Sequence, residues 1–282
     1  MTVSDQNRKA VVVGHPIAHS RSPLIHRHWL AELGIAGAYD RRDVRPDDLE
    51  GFVQAMAEEG IAGANLTIPH KELVMAMVER IDPEARAVGA ANTIWFDEAG
   101  TLRATNTDVH GFLANLDERA PGWDAGGKTA MVFGAGGAAR AVVFGLLSRG
   151  FEQVLIHNRS AERIAGLRDA FGAAVEPAGA LREALAAADL VVNATSLGMH
   201  GAAAWTMPLD GLSPAAVVVD LVYVPLRTRL LELAEARGNR IVDGLGMLLH
   251  QAAPAFQRFF GKMPQVTESL RQRIVADLEG GA

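Results

Sequence analysis

The sequence predicts an α/β protein of two domains. Short Val- and Ile-rich runs alternate with segments whose apolar residues recur at helical spacing, the signature of βαβ units with parallel strands. This alternation occurs as two successive series, separated by the turn-rich stretch Pro121 to Lys128. At 282 residues the chain also exceeds a comfortable single core.

The first series opens with a strand at Ala10 to Val13 and a helix from Ser22 to Leu33, where Ile25, Trp29 and Leu33 share one face. A strand near Ala38 to Asp43, a helix Pro46 to Glu59, a strand near Gly63 to Leu66 and a helix after Pro69 follow. Asn92 to Phe96 and Thr101 to Thr105 read as a hairpin around Glu98, Ala99 and Gly100. The second series starts with the strand Thr129 to Phe133 and ends at Ile241 and Val242. Two amphipathic helices, Met247 to Phe260 and Val266 to Leu278, come after it with no further strand, so they are expected to return to the first domain. The domains are expected to be residues 1–107 plus 246–282, and residues 108–245, with hinges near Asp108 and Gly244.

Composition excludes several function classes. With 27 Lys plus Arg against 33 Asp plus Glu the formal charge is -6, so no basic field favours nucleic acid or an anionic membrane. The absence of cysteine removes disulfides, thiolate nucleophiles and Cys-ligated metals, and fits a reducing compartment. Met1 to Lys9 is polar with no apolar leader core, and no apolar run approaches the ~20 residues that span a bilayer. A cytoplasmic protein is expected, monomer or homodimer.

Phe133 ends a strand and Gly134-Ala135-Gly136-Gly137-Ala138-Ala139-Arg140 opens a helix, giving G-x-G-x-x-A. The first glycine permits the turn, the second lets backbone approach a pyrophosphate, and small Ala139 allows close helix packing. The second domain is therefore expected to be a Rossmann-type, doubly wound dinucleotide-binding domain. At the end of the next strand, Gln153 to His157, an NAD enzyme would carry Asp or Glu for the ribose 2′-hydroxyl. Here stand Asn158, Arg159 and Ser160, with Arg163 a turn further on. Guanidinium groups suit a 2′-phosphate, so NADP is the expected cofactor.

Four polar clusters lie at strand ends or loops of the first domain: Gly14 to Pro23, Asn65 to Lys71, Ala90 to Thr93 and Thr105 to Asp108. Ligands of open α/β sheets bind beyond the carboxyl ends of strands, where these loops would converge. They offer hydroxyls, amides, Lys71 and Asp108, but no acidic ligand set for a divalent cation and no serine elbow. Each also has an ordinary reading: Ser22 as an N-cap before Pro23, Thr67 satisfied by its own loop, Asp108 capping a helix from Val109. His19, His26 and His28 lack an accompanying carboxylate, and no metal is expected.

Together these segments resemble the shikimate dehydrogenase family over nearly the whole chain. The motifs are H-S-x-S-P-x-x-H at His19 to His26, N-x-T-x-P-x-K at Asn65 to Lys71, N-T-D-x-x-G-F at Asn106 to Phe112 and the glycine turn. N-R-S follows at Asn158 to Ser160, then N-A-T-x-x-G-M at Asn193 to Met199, D-x-x-Y-x-P-x-x-T at Asp220 to Thr228 and D-G-x-x-M-L-x-x-Q at Asp243 to Gln251. The resemblance implies reversible hydride transfer between NADP(H) and a small cyclic hydroxy acid, shikimate, in aromatic amino acid biosynthesis. It implies that Ser20 and Ser22, with Tyr223, hold the substrate carboxylate. Thr67, Asn92, Asp108 and Gln251 would hold ring hydroxyls, and Lys71 and Asp108 would be the catalytic pair. It places the cofactor on Gly134, Ala135, Gly136, Gly137 and Ala138, the 2′-phosphate on Asn158, Arg159, Ser160 and Arg163, and the nicotinamide near Leu221 and Gly244. Arg27 departs from the family's usual Asn, while Ser160 and Leu221 are conservative variants. A quinate- or aminoshikimate-preferring relative is the neighbouring alternative; a non-catalytic NADP-binding sensor would have no use for Lys71 and Asp108.

Overall fold

The computed structural model describes residues 8–280, so most of the Met1 to Lys9 segment, and residues 281–282 of the expected first domain, fall outside the described residues. The chain divides into two compact units, one running to Asp108 and including Leu249–Ala276, the other formed by Val109–Leu248 with the residues from Asp277 onward.

The first unit is built on a six-stranded sheet. Its elements are β1 (Arg8–Gly14), α1 (Ser22–Glu32), β2 (Gly37–Asp43), α2 (Leu49–Ala55), β3 (Ile61–Leu66), α3 (His70–Leu73), β4 (Arg80–Ile81), α4 (Pro83–Val88), β5 (Thr93–Phe96) and β6 (Leu102–Thr105). The strand order is β2-β1-β3-β5-β6-β4. β1 pairs in parallel with β2 and β3, β5 runs antiparallel to β3 and β6, and β4 is parallel to β6. One apolar cluster gathers Val11, Val13, Leu49, Met56, Leu66, Val74 and Ile94. A second, aromatic group joins Trp29 of α1 and Tyr39 of β2 to Phe256 and Phe259 near the C-terminus.

Several local expectations change here. The helix expected over Pro46 to Glu59 is a 3-10 turn, Pro46–Asp48, followed by α2. It stops at Ala55 because the chain turns back through Gly60, whose φ of +68° takes it out of right-handed helix, and Ile61 N–H donates to Met56 O at 2.9 Å. After Pro69 there is only one turn, α3, and a 3-10 turn Val74–Ala76. β4 and α4 were not expected; α4 starts at Pro83 and ends at Gly89 in the left-handed region. In the hairpin, Asp97 Oδ1 accepts from Ala99 N–H and Thr101 N–H.

The second unit holds α5 from Val109 onward (the helix is Asp108–Arg119), β7 (Thr129–Phe133), α6 (Gly137–Ser148), β8 (Gln153–His157), α7 (Ala161–Phe171) and β9 (Val175–Pro177). It continues with α8 (Leu181–Ala187), β10 (Leu190–Asn193), β11 (Val217–Asp220), α9 (Arg229–Ala236) and β12 (Arg240–Val242). Its sheet is wholly parallel in the order β12-β11-β10-β7-β8-β9, the doubly wound Rossmann order, which reverses direction between β7 and β10. Continuous apolar strands such as Val217-Val218-Val219 are buried on both faces between two separate apolar clusters. α10 is Gly244–Phe260, starting three residues earlier than expected, and α11 is Glu268–Gly280. Residues 249–276 of these helices belong to the first unit, whereas residues 246–248 and those from Asp277 onward cluster with the second. No helix among the described residues is long and apolar enough to cross a membrane.

Candidate active site

In the first unit the loop after β3 carries Thr67 and leads into α3, which presents Lys71; the loop after β6 carries Asn106 and Thr107 into the first turn of α5, which presents Asp108. Lys71 Nζ donates to Asp108 Oδ2 at 2.5 Å, with both side chains largely buried. Asn92 Nδ2 lies 3.0 Å from the other carboxylate oxygen, 2.9 Å from Thr107 Oγ1 and 3.3 Å from Gln251 Oε1. Thr107 N–H in turn donates to Asn92 Oδ1 at 2.8 Å, so the amide is held at both ends. A buried carboxylate keeps its charge only when paired and hydrogen-bonded, and this one has an ammonium and an amide donor.

The ordinary readings of two residues give way. Asp108 does not cap a helix from Val109; its side chain is spent on Lys71 and Asn92, and its own N–H donates to Asn106 Oδ1 at 2.9 Å. Ser22 is not the N-cap of α1 but its first residue, and its N–H donates to Ser20 Oγ at 3.3 Å. Ser20 and Ser22 are both nearly buried, and Ser20 Oγ is 3.3 Å from Ser22 Oγ. Two Arg41 nitrogens donate to Ser20 O, at 2.9 and 2.5 Å, fixing the turn from β2. Thr67 is half-buried and packs its methyl where a Cβ on Gly14 would sit, 2.5 Å away. Arg27 bonds Tyr39 O at 3.0 Å and pairs with Asp40, so the departure from the family's Asn tethers α1 to β2.

The three histidines do not converge. His26 is fully buried and stacked on Tyr39, 3.9 Å between ring centroids, and burial pulls its pKa down to about 3. Among the described residues no group of three or more His, Asp or Glu side chains is gathered to hold a metal ion.

In the second unit the glycine turn joins central β7 to α6 at the point where strand order reverses. Gly134 has φ +108°, and a Cβ there would lie 2.9 Å from Ala194 O, so only glycine fits. Gly136 is extended, caps α6, and a Cβ there would meet only Arg163 Nη1 at 3.9 Å. This leaves open space over a helix N-terminus, with a guanidinium beside it, which suits a pyrophosphate. Ala139 is fully buried against the sheet. At the end of β8, Asn158 Nδ2 donates to Ser160 O at 3.1 Å and Ser160 Oγ caps α7 through Arg163 N–H, while Arg159 and Arg163 are exposed. No carboxylate stands at Asn158 to Ser160, so the residues present fit a nucleotide with a 2′-phosphate.

Leu221 and Gly244 meet: a Cβ on Gly244 would fall 2.3 Å from Leu221 O, so the start of α10 touches the chain leaving β11. Tyr223, half-buried, lies in that same segment. Beneath it is a buried cluster to which sequence reasoning gave no role. Asp220 accepts from Asn193 Nδ2 at 2.9 Å, Val222 N–H at 3.0 Å and Thr228 Oγ1 at 2.6 Å. Burial pushes the Asp220 pKa up to about 6 against these bonds. In the first unit Thr107, Arg41 and Tyr39 were likewise missed; Thr107 adjoins Asp108 in its motif and was within reach, whereas nothing local marks the other two.

Comparison with known proteins bears on both units. Residues 12–94 match the family described as shikimate dehydrogenase substrate binding domain, 117–200 shikimate / quinate 5-dehydrogenase, and 244–272 the shikimate 5'-dehydrogenase C-terminal domain. A shikimate dehydrogenase (NADP(+)) of Azorhizobium caulinodans is 53% identical over 273 residues, 96% of this chain and 97% of the relative. The crystal structure of the Thermus thermophilus shikimate 5-dehydrogenase in complex with NADP(H) and shikimate has a TM-score of 0.85 at 37% identity, covering 96% of this chain and 99% of that one. A quinate dehydrogenase from Corynebacterium glutamicum in complex with NAD gives 0.87 at 30% identity, covering 96% and 99%. By motif, fold and near-full-length identity, the chain belongs to the shikimate dehydrogenase family.

Proposed function

We propose that this protein is an NADP-dependent shikimate dehydrogenase, reversibly reducing 3-dehydroshikimate to shikimate in aromatic amino acid (chorismate) biosynthesis. The observation that carries the reading is the Lys71–Asp108 pair, 2.5 Å apart and braced by Asn92 and Gln251. A non-catalytic nucleotide sensor gives no reason to bury an ammonium and a carboxylate together.

NADPH, when bound, supplies the hydride; the chain's residues bind, orient and handle the proton. Ser20 and Ser22 donate to the ring carboxylate, and Tyr223 is assigned to the same group. Thr67, Asn92, Asp108 and Gln251 hold the ring hydroxyls. As the ketone carbon is reduced, negative charge grows on its oxygen, and the Lys71 ammonium stabilises that alkoxide and gives it a proton. In the oxidative direction Lys71 takes the hydroxyl proton. Asp108 accepts from both the substrate hydroxyl and Nζ, which aims the proton along one line. Gly134 to Ala138 cradle the pyrophosphate, Asn158, Arg159, Ser160 and Arg163 read the 2′-phosphate, and Leu221 and Gly244 line the nicotinamide end. Domains of residues 1–107 plus 246–282 and of residues 108–245 are assigned to substrate and cofactor respectively, bounds that differ by a few residues from those of the two compact units. The net charge of -6 supports a small-molecule partner rather than nucleic acid. We assign the enzyme to the cytoplasm, as monomer or homodimer.

The deciding experiment is the coupled rate with NADP and NAD across shikimate, quinate and other cyclic hydroxy acids. Shikimate with NADP is expected to give the highest kcat/KM. A higher value for quinate, or no turnover of either acid, overturns the assignment.

A further inference from the structure

Thr93 opens β5, directly opposite Asn65 of β3 in the antiparallel register, and its side chain is fully buried. Its hydroxyl accepts from Asn65 Nδ2 at 3.0 Å and donates to Asn92 Oδ1 at 3.0 Å. Groups that cannot reverse their roles set the direction of both bonds. Asn65 Nδ2 also faces the Asn92 backbone carbonyl at 3.3 Å, and a carbonyl only accepts, so the NH2 end of this amide is held toward Thr93. The Tyr39 hydroxyl donates to the opposite end, Asn65 Oδ1, at 2.6 Å. Thr93 is left with one proton to give, and among the described residues it goes to Asn92 Oδ1.

The Asn92 amide lies between this donor and the Lys71–Asp108 pair. Its oxygen takes two donors from different parts of the chain, the Thr93 hydroxyl and Thr107 N–H at 2.8 Å. Its nitrogen is thereby turned to Asp108 Oδ1 at 3.0 Å. A single donor fixes which end of the amide faces it but leaves the plane free to swing about the Cβ–Cγ bond; a second donor removes that swing. Donation to the amide oxygen also draws charge from the NH2 group, which strengthens its bond to the carboxylate in a low-dielectric interior.

We infer that Thr93 is a positioning residue that fixes the plane of the Asn92 amide and, through it, the Asp108 carboxylate that holds Lys71. This rests on the functional reading above. Thr93 has no exposed surface to offer a bound ring, so it acts only through Asn92. Without its hydroxyl, Asn92 Oδ1 keeps Thr107 N–H alone, and Asn65 Nδ2 faces a methyl group.

The test compares Thr93→Val, which keeps the shape and loses the hydroxyl, with Thr93→Ser, which keeps the hydroxyl and loses the methyl. Each removes something from a packed interior and is expected to lower Tm, so a rate that followed stability alone would fall in both. Thr93→Val is expected to lower kcat/KM for shikimate about tenfold with KM for NADP unchanged, while Thr93→Ser stays within about threefold of wild type. In an Asn92→Ala background, followed at high enzyme concentration, the Val substitution is expected to change kcat/KM by less than about twofold, because the amide it positions is gone. Wild-type kcat/KM in Thr93→Val, equal losses in Val and Ser, or the same loss with and without the Asn92 side chain overturns the assignment. If Thr93→Val does not fold, Thr93→Cys, a weak donor differing from Thr93→Ser by one atom, takes its place against the same limits. Wild-type turnover of shikimate is measured first. Its absence overturns the functional reading and this one with it, whereas turnover that is indifferent to the hydroxyl counts against Thr93 alone.

Discussion

Lys71 Nζ and Asp108 Oδ2 stand 2.5 Å apart, with 15% and 6% of their side chains exposed, although the residues are 37 positions apart in sequence. On the proposed mechanism Lys71→Ala removes the proton donor and the charge that stabilises the alkoxide, an effect confined to the transition state. We expect kcat to fall about a hundred- to ten-thousandfold with KM for shikimate changed only a few-fold. Steady-state kinetics check this, and a wild-type kcat would remove Lys71 from the chemistry.

Arg159 is exposed at the end of β8 with no carboxylate beside it in Asn158 or Ser160. Arg159→Asp places a negative charge where the 2′-phosphate is expected and is predicted to move the NADP to NAD ratio of kcat/KM toward NAD by about a hundredfold. An unchanged ratio shows that the phosphate is read elsewhere.

Gly134 and Gly136 separate fold from binding. Gly134→Ala forces a side chain into φ +108° and against Ala194 O at 2.9 Å, so a loss of about 1–3 kcal/mol is expected in denaturant melts. Gly136→Ala meets nothing nearer than 3.9 Å. Its Tm is expected to match wild type while KM for NADP rises about tenfold or more as the methyl occupies pyrophosphate space. A normal KM would place the cofactor off this turn.

His26 governs acid lability. Burial holds its pKa at about 3 against an ordinary 6.5, and neither ring nitrogen has a hydrogen-bond partner among the described residues. The unfolded chain therefore takes up this proton first: the contribution is complete above pH 6.5 and is lost as pH falls toward 3. His26→Phe, which keeps the stack on Tyr39, is expected to flatten stability over that window by a few kcal/mol, on the order expected for a shift this large. Equal acid limbs in the two proteins would show that another group controls them.

Asp220 acts in the opposite sense. With its pKa raised from 3.8 to about 6 by burial, the folded state binds its proton more tightly, so the contribution is present below 3.8 and lost as pH rises through 6. Asp220→Asn can keep the bonds to Thr228, Val222 and Asn193, and is expected to abolish a decline on the order of 2–3 kcal/mol between about pH 4 and 6. Urea titrations across that range, wild type against variant, are the check; parallel curves exclude Asp220 as the source.

Where elements are long and buried on both faces, their sequence pattern sufficed. Thr129–Phe133 and Gln153–His157 fall where the apolar runs put them, and Gly134 marks a turn that no other residue allows. In the first unit the helices between Pro46 and Val88 are one or two turns long, too short for a 3.6-residue period to show, and β4 has only two residues, so α2 was overextended and β4 and α4 went unseen. Motifs brought Lys71, Asn92, Thr67 and Asp108 onto neighbouring strand ends. Tyr39 and Arg41 were illegible because their partners, Asn65 and Ser20, come from other strands and turns, and only strand register reveals that.

The aromatic rings of α10 are structural neighbours of the opening strands. Phe259 fills the space a side chain on Gly63 would need, at 2.4 Å, and Phe260 stands 3.0 Å from a Cβ on Gly37. Trp29 Nε1 donates to Gln265 O, and Arg8 Nη1 to Phe259 O. During synthesis the first hundred residues leave the ribosome without the aromatic wall that seals their sheet. Residues 256–260 are made only after residues 109–248, so the amino-terminal sheet cannot close against these rings until most of the second unit's chain has been translated.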